Sequence, residues 1–575
     1  MALAPVYDAN TITVRATLEL LDGPFAEMAK GVSEDIYTLW LGSGISYGRV
    51  PGLQTVIKNL LKFLQERVVK GDANCRFRIA LTEIIGYTHP TAQEIERNNL
   101  DQPIENWPDL EPFSQRLVTN YARMLDVLVD QEAADFLVWA GIDVASTYAN
   151  PSTRPDAEHL CLALLVSEGV ASSIASANWD DLVEKAVSEL SNGTALSVVV
   201  RPEDLRGNQQ RTHLYKFHGC ALKASQDEAN YRVRLVARKS QIDAWTAVPE
   251  NRVILNQLVL LATTKRTLMI GLSAQDSNIQ GVFAQAETSM PWPWPSTDLA
   301  YVFSANSLNP DHAGLLKNVY RENYSVENRS AINEEALIKA YGKPLLTALV
   351  LNVLCLKLSA LASTCPGAID PAGRSEIEKG IFVVRDTLSQ VVEGLGHEPF
   401  IRELIAQSER VLSLFHKGKA PAQESHFYYP LSTDPVNITV NHPHIGMSGL
   451  RELGVAVGLI GMGLSENNWN LKPSDRTDPK SGALGIVTKT HSANLFFAAN
   501  VHAALCLHNN EHVTTGDNAV IVHSLDIPPA MSRSPRGAPG RTGRATLREV
   551  SINELMEEST NVTSLFERFR EETAL

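Results

Sequence analysis

Short apolar runs separated by helical stretches recur through the first half of the chain, and this alternation constrains its fold more than any other feature. The runs that predict strands lie at residues 35–41, 173–177, 196–200, 214–217, 267–271 and 299–303. Such a β–α–β rhythm is typical of a doubly wound parallel sheet, an α/β fold. Residues 53–170 are mainly helical, so we expect a helical insertion between the first two strands.

The sequence predicts two further regions after an α/β domain at residues 1–305. Residues 306–417 carry apolar side chains at helical spacing, which predicts a helical region. Residues 418–575 predict a mixed α+β region; its strands are expected at residues 485–488, 494–498, 503–507 and 519–523. The longest apolar run, residues 344–358, is interrupted by Asn352 and Lys357 and is short for a bilayer span. We expect it to form a buried helix.

Composition restricts the class of protein. The chain has 575 residues, of which 44% are hydrophobic and 20% charged, so it is long and apolar enough for two to four globular domains. Its formal net charge of −14 argues against coating nucleic acid by bulk electrostatics, although a local basic patch leaves direct nucleic-acid binding open. The cysteines form no C-x-x-C pair and no basic signal-peptide region precedes them. These features predict a cytoplasmic protein with reduced thiols and no membrane partner.

Four motifs follow predicted strands. They are Gly42-Ser43-Gly44-Ile45-Ser46, Asn178-Trp179-Asp180, His218-Gly219 and Gly271-Leu272-Ser273. Glycines let the backbone of the first motif approach phosphate oxygens, and the N-terminus of the helix that follows would favour an anion. Ser273 ends its strand, which is where open α/β sheets bind ligands. A lone G-x-G is a weak signal, because it is more often an ordinary turn.

In this order and over about residues 30–310, the four motifs resemble those of the SIR2 family. The resemblance implies a sirtuin-like doubly wound domain that binds NAD, with Gly42, Ser43, Gly44, Ile45, Ser46 and Gly271 around the dinucleotide. It implies that Asn178 positions the attacking water and the ribose, and that Asp180 holds the nicotinamide carboxamide. It also implies that His218 takes a proton from a ribose hydroxyl and that Ser273 meets ribose or phosphate. Asp276 resembles the aspartate of the G-x-S-x-x-D-x-x-I ending in defence-type SIR2-like proteins.

Each of these side chains also has a purely structural interpretation. A histidine at a strand end is usually a hydrogen-bonded structural residue or an exposed one, so the motif order is what favours a functional His218. Asn178 and Asp180 are residue types that cap helices, and a helix is expected to begin near Asp181. Asp276 stands equally well as the cap of the next helix or as a residue of the site.

The chain departs from the protein-deacylating members of the family. Those members carry a zinc ribbon with two C-x-x-C pairs, whereas Cys220 is the only cysteine between Cys161 and Cys355, so no zinc is expected. The usual proline-aspartate-phenylalanine-arginine stretch is also missing after the glycine loop. Water then becomes the expected acceptor, which predicts an NAD hydrolase that forms ADP-ribose and nicotinamide. The alternatives are a protein deacylase or ADP-ribosyltransferase, and a non-catalytic sensor of NAD or ADP-ribose.

The resemblance also implies an antiphage effector that depletes NAD, is homo-oligomeric and is activated by a partner. No G-x-x-x-x-G-K-[ST] loop occurs, so a motor or sensor would be a separate polypeptide. A HerA-like ATPase is favoured, with a short prokaryotic Argonaute as the alternative. The arginine-rich loop at residues 533–548 is either solvated or docked on phosphates or an acidic surface. Docking is slightly favoured, which makes the loop the candidate partner contact, through Arg533, Arg536, Arg541 and Arg544. The His508-x-x-x-His512 spacing fits helical metal ligands, but Asn509 and Asn510 favour a turn, and no metal is expected.

Overall fold

A seven-stranded sheet organises the first half of the protein. The computed structural model describes residues 7–191, 196–206, 210–290, 292–296, 299–365, 369–421, 427–472, 474–475, 478–513, 518–525 and 548–575. The strands are β1 Tyr37–Leu41, β2 Ser173–Ser176, β3 Leu196–Val199, β4 Thr212–Lys216, β5 Arg266–Ile270, β6 Tyr301–Ser304 and β7 Leu337–Ile338. Their order is β3-β4-β2-β1-β5-β6-β7, and all neighbouring pairs are parallel. This confirms the α/β class and the parallel sheet.

The strands are apolar because both faces of the sheet are covered. Leu39 and Leu41 of β1 belong to one core cluster, whereas Trp40 between them belongs to another. Successive side chains of a strand point to opposite faces, so a strand that is buried on both reads as a continuous apolar run. The helices of this half that precede β1 or follow β2 are α1 Val14–Asp22, α2 Ala26–Ser33, α10 Leu182–Ser191, α11 Ala221–Gln226, α12 Glu228–Tyr231, α13 Lys239–Ala244, α14 Arg252–Thr264, α15 Ser277–Ser289, α16 Pro310–Tyr320 and α17 Arg329–Glu335.

Between β1 and β2 the chain forms a helical insertion. Its helices are α3 Leu53–Gln65, α4 Arg76–Gly86, α5 Ala92–Arg97, α6 Leu110–Val118, α7 Tyr121–Leu125 and α8 Val144–Tyr148, and α9 Ala157–Ser167 then leads into β2. The insertion has a core cluster of its own, which includes Leu60, Ile84 and Phe113. That cluster also contains Ala221 and Leu235, which follow β4. The insertion therefore packs against the end of the sheet at which β4 finishes.

The C-terminal module, from α18 onward, combines long helices with a second sheet. Its elements are α18 Gly342–Ser363, α19 Pro371–Leu395, α20 His397–His416, α21 Val436–Thr439, α22 Leu450–Ser465, β8 Asn470–Lys472, β9 Leu484–Val487, β10 Ser492–Asn500, α23 Val501–Asn509, β11 Ala519–Leu525, β12 Arg548–Ser551, α24 Ile552–Glu558 and α25 Val562–Thr573. The sheet order is β12-β11-β10-β9-β8. β10, β11 and β12 run parallel to one another, β9 runs antiparallel to β10, and β8 runs antiparallel to β9. The mixed C-terminal region predicted from the sequence is confirmed.

One strand prediction in this module is wrong. Residues 503–507 lie in α23, where the side chain of Asn500 accepts a hydrogen bond from the backbone N–H of Ala503 at 3.0 Å. A short apolar run has no periodicity that separates a strand from a buried helix, and the cap decides between them here. Arg533, Arg536, Arg541 and Arg544 of the predicted contact loop lie outside the described residues.

Both halves of the protein pack against the long apolar helix α18. Within the described residues it is the one helix long and apolar enough to cross a membrane, yet 78% of its apolar window is buried inside the protein. Leu345 and Val353 belong to the core cluster of the first sheet, and Leu361 to that of the C-terminal module. The predicted buried helix is confirmed, because the helix lies across both cores.

A buried ion pair fixes α18 to the end of α9. The Lys357 ammonium donates to the Glu168 carboxylate at 2.7 Å, to the Glu168 carbonyl at 2.6 Å and to the Ser432 carbonyl at 2.6 Å. Glu168 also accepts from the Tyr428 hydroxyl at 2.5 Å and from the backbone N–H of Leu431 at 3.0 Å. Every donor and acceptor of the pair has a partner, which a buried charge requires. The pair therefore ties the chain just before β2 to the C-terminal module.

Replacing Lys357 by Met should lower the free energy of unfolding by about 3–5 kcal/mol, because the Glu168 carboxylate stays buried without its cation. Glu168→Gln added to Lys357→Met should recover much of that loss. The matched control is Lys379→Met, since Lys379 pairs with Glu376 on the exposed face of α19 and should change stability little. Thermal and denaturant unfolding measure the effect, and equal losses for Lys357→Met and Lys379→Met would contradict it.

The backbones of the loops that follow β1 and β5 are in direct contact. A Cβ atom on Gly42 would lie 2.3 Å from the Gly271 carbonyl oxygen, and one on Gly44 would lie 2.6 Å from the Gly271 Cα. The Gly42 N–H donates to the Ile270 carbonyl at 3.1 Å, and the Gly44 N–H to the Gly271 carbonyl at 3.0 Å. The fold itself thus requires glycine at positions 42 and 44, independently of any ligand.

Gly44→Ala should therefore destabilise the protein by about 1–3 kcal/mol, because the added methyl forces one of the two loops to move. Gly52→Ala is the matched control, since its Cβ would meet nothing within 4 Å and its φ of −65° suits alanine. Melting temperatures of the two variants compare the sites. A Gly44→Ala protein as stable as Gly52→Ala would show that the two loops do not touch as described.

Candidate active site

The carboxyl ends of four neighbouring strands lie in register. Leu41 at the end of β1 pairs with Ser176 of β2 and with Ile270 of β5, and Ser176 pairs in turn with Lys216 of β4. Gly42 and Gly271 follow their strands directly, whereas Asn178 and His218 follow by two residues. The chain passes from β4 on one side of β1 to β5 on the other, which makes this edge the switch point where open α/β sheets bind ligands.

Asn178 is held with one side-chain oxygen available. Its side chain is buried, with 7% of the residue exposed. The amide Nδ2 donates to the Gly42 carbonyl at 3.1 Å, and the backbone N–H donates to the Ser176 hydroxyl at 3.1 Å. Among the residues that the structure describes, none donates to its Oδ1. This oxygen can therefore accept a hydrogen bond from a water or a sugar hydroxyl.

A chain of hydrogen bonds orients the Asp180 carboxylate. The Ser46 hydroxyl donates to Asp180 Oδ2 at 3.0 Å and lies 3.1 Å from His159 Nε2. The backbone N–H of Asp156 donates to His159 Nδ1 at 3.1 Å, so the neutral ring carries its proton on Nε2 and gives that hydrogen bond to Ser46. Burial lowers the pKa of His159 to about 4, which keeps the ring neutral near pH 7.

Asp180 also serves the local fold. Its Oδ1 accepts from the backbone N–H of Leu182, the first residue of α10, at 3.3 Å. The capping role considered for Asp180 and its place beside Ser46 therefore coexist. His159 was not among the residues predicted for the site, and its only sequence signal is a place three residues after an N-cap aspartate in an apolar helix.

His218 is a buried, neutral histidine. Only 5% of it is exposed, and its ring meets the Phe217 ring edge-on at 4.8 Å. Burial lowers the pKa of His218, and the nearby charge of Asp276 partly opposes that effect. Nε2 lies 2.9 Å from Nδ2 and 3.3 Å from Oδ1 of the Asn278 amide. No residue in the described part of the chain hydrogen-bonds Nδ1, so that nitrogen can meet a ligand.

Asp276 is linked to the helical insertion instead of capping α15. It occupies the N-cap position, yet its side chain makes no capping hydrogen bond. Instead, the Tyr121 hydroxyl from α7 donates to Asp276 Oδ1 at 2.7 Å. Burial and the Asp276 charge both raise the pKa of Tyr121, so the phenol stays protonated and keeps donating. Tyr121 and Asn278 carried no sequence signal, because only packing brings them here.

The two glycine-containing loops present a mixed surface at this edge. Ser43, Gly44 and Ser273 are exposed, whereas Ile45 and Ser46 are buried. A 3₁₀ turn, Ser43–Ser46, follows β1, and α3 begins only at Leu53. The helix predicted to follow the glycines is α3, which the 3₁₀ turn and residues 47–52 separate from Gly42, and the N–H of Gly44 is occupied by the Gly271 carbonyl. Across the described residues, no group of three or more His, Cys, Asp or Glu side chains could hold a metal ion.

Comparison with known proteins identifies part of this domain. Residues 172–327 match the family model described as SIR2-like domain. The matched stretch runs from β2 past α16 and contains Asn178, Asp180, His218, Gly271, Ser273 and Asp276, whereas Gly42–Ser46 precedes it. No curated protein matches the chain. The match supports a SIR2-like fold for this domain, and members of that family use NAD.

Proposed function

We propose that the protein hydrolyses NAD to ADP-ribose and nicotinamide. The observation that carries this proposal is the meeting of buried Asn178, Asp180 and His218 at the β1–β5 switch point of the sheet. Polar side chains are costly to bury unless they are hydrogen-bonded. Here each is held by neighbours, and Asn178 Oδ1 and His218 Nδ1 have no hydrogen-bond partner among the residues that the structure describes. Such an arrangement suits a polar ligand.

In the proposed reaction the bond between C1′ of the ribose and the nicotinamide nitrogen breaks, and its electron pair goes to the nicotinamide ring. A water oxygen bonds to C1′, and the water releases one proton. Asp180 accepts from the carboxamide N–H₂, because Ser46 and Leu182 already fix both of its oxygens in place. Asn178 Oδ1 orients the water or the ribose. His218, in the tautomer whose Nε2–H donates to Asn278 Oδ1, accepts a ribose hydroxyl proton at Nδ1 while positive charge develops on the sugar. The ribose oxygen then takes the proton that the water releases, and His218 passes its own proton to solvent.

Water is favoured over an acyl-lysine peptide as the acceptor. The sequence lacks the two C-x-x-C pairs of a zinc ribbon, and Cys220 is instead buried at 3.6 Å from the Lys216 ammonium. Deacylation or ADP-ribosyl transfer would consume an acyl-peptide or a protein acceptor together with NAD. A sensor would bind NAD or ADP-ribose and leave it intact. Quantifying NAD, nicotinamide, ADP-ribose and any modified acceptor after one incubation separates these functions.

The regulatory part of the proposal rests on the sequence resemblance. In it the protein is a cytoplasmic, homo-oligomeric antiphage effector whose NAD cleavage is switched on by a separate polypeptide. A HerA-like ATPase is favoured over a short prokaryotic Argonaute, because the sequence has a net charge of −14 and no evident basic surface for a guide–target duplex. NAD assays on the protein alone and with each partner test this part.

Asn178→Ala and His218→Ala should each reduce kcat for NAD cleavage by at least about 100-fold, because each removes a group that acts on the ribose or the water. NAD binding should change much less. Asn98→Ala is the control, since Asn98 is also a buried asparagine but lies in the helical insertion. Chromatography of products and calorimetric binding measure the two effects. Near-normal turnover in either site variant would remove these residues from the reaction.

The pH dependence of kcat/KM should have its acidic limb below pH 6.5. His218 works as a base only when neutral, and burial lowers its pKa, so activity is retained until the pH falls through that lowered value. Asp276→Asn should move the limb to still lower pH, because the Asp276 charge favours the protonated ring. Rate profiles of both proteins give the comparison. A limb that moves upward in Asp276→Asn would contradict the assignment of His218.

A further inference from the structure

Trp179 joins the two segments that carry Asn178 and His218. Its indole Nε1–H donates to the His218 carbonyl at 2.8 Å. In the opposite direction, its own carbonyl accepts from the backbone N–H of Ala221 at 2.9 Å. An indole N–H can only donate and a backbone carbonyl can only accept, so the direction of both hydrogen bonds is certain. The loop after β2 and the loop after β4 are thereby fixed to each other at His218 and again three residues later, at Ala221.

The Trp179 ring is itself held by the helical insertion. It meets the Tyr148 ring of α8 edge-on at 5.5 Å, and it packs against the core cluster of the insertion. Trp179 stands between Asn178 and Asp180 in the sequence, so the Tyr148 ring that contacts it lies beside the site. The insertion, the loop after β2 and the loop after β4 therefore converge on one side chain.

A buried lysine also links β4 to the loop after β2. Lys216, the last residue of β4, is 1% exposed, and its ammonium donates to the Asp180 carbonyl and to Glu184 Oε1 at 2.7 Å. The bond to the Asp180 carbonyl ties β4, which leads to His218, to the residue that follows Trp179. Neither Trp179 nor Lys216 is placed to react, because their polar atoms are bonded to the protein.

We propose that Trp179 is a positioning residue, which sets the separation of Asn178 and His218 so that both act on one ribose. The inference rests on the proposed NAD hydrolysis and goes further by naming the contact that aligns its two catalytic loops. Reacting groups held slightly out of place lose rate more than affinity. Loss of the Trp179 contact should therefore appear in kcat and leave KM nearly unchanged.

The test compares two tryptophans whose indole N–H groups both donate to backbone carbonyls. Trp179→Phe keeps an aromatic ring against Tyr148 but removes the indole N–H, and should lower kcat about tenfold with KM within about twofold. Trp107→Phe is the matched control, because the Trp107 indole donates to backbone carbonyls of Asn99 and Gln102 in the insertion at 3.0 and 3.2 Å. Its kcat should stay within about twofold of the parent. An unchanged kcat in Trp179→Phe, or an equal fall in Trp107→Phe, would overturn the proposal.

A second variant removes the other hydrogen bond between the two loops. Ala221 is the first residue of α11, where proline is tolerated, and Cys220 before it has the extended φ of −137° that proline requires. Ala221→Pro removes the N–H that reaches the Trp179 carbonyl, and should also lower kcat with little change in KM. A normal kcat in a folded Ala221→Pro protein would count against the proposal even if Trp179→Phe misfolded.

Hydrogen exchange makes the proposal testable without turnover. Backbone amides of residues 218–221 should exchange at least about tenfold faster in Trp179→Phe than in the parent or in Trp107→Phe. If the parent protein does not cleave NAD, the proposed function fails, and this measurement still decides whether Trp179 holds the loops together. Unchanged exchange at residues 218–221 would overturn the positioning role by itself.

Discussion

Hydrogen-bonded register between parallel strands brings the site together. Because Leu41, Ser176, Lys216 and Ile270 are paired at one level of the sheet, the loops that follow begin side by side. The glycines of two of these loops then allow backbone contact between Gly44 and Gly271, closer than any side chain would permit. The remaining interactions, from the Asn178 amide on the Gly42 carbonyl to the Trp179 indole on the His218 carbonyl, depend on that alignment.

The convergence of the motifs could be predicted from the sequence because each motif begins one or two positions after its strand. A short apolar run locates the strand, and the edge of a parallel sheet then brings the motifs together. His159, Asn278 and Tyr121 could not be predicted in this way. They reach the site from three helices, α9, α15 and α7, whose packing against the sheet leaves no pattern in the sequence.

The same limit explains the strand prediction that the structure overturned. The run at residues 503–507 has no periodicity of its own, and the cap at Asn500 makes it a helix. The helix predicted after the glycine turn is α3, which a 3₁₀ turn, Ser43–Ser46, and six further residues separate from Gly42. Those residues include Arg49, which binds Asp156 at 3.2 Å and Glu398 at the start of α20. The C-terminal module thus contacts the chain three residues after the glycine motif.

The most direct test of this account is a crystal structure of the His218→Ala protein with NAD. The account predicts that the nicotinamide ribose lies at the carboxyl ends of β1, β2 and β4, with Asn178 Oδ1 within hydrogen-bonding distance of a ribose hydroxyl or an ordered water. The carboxamide should contact Asp180, and the pyrophosphate should lie along the loops of Gly44 and Gly271. NAD bound elsewhere on the protein, or bound here with the nicotinamide turned away from Asn178 and Asp180, would contradict it.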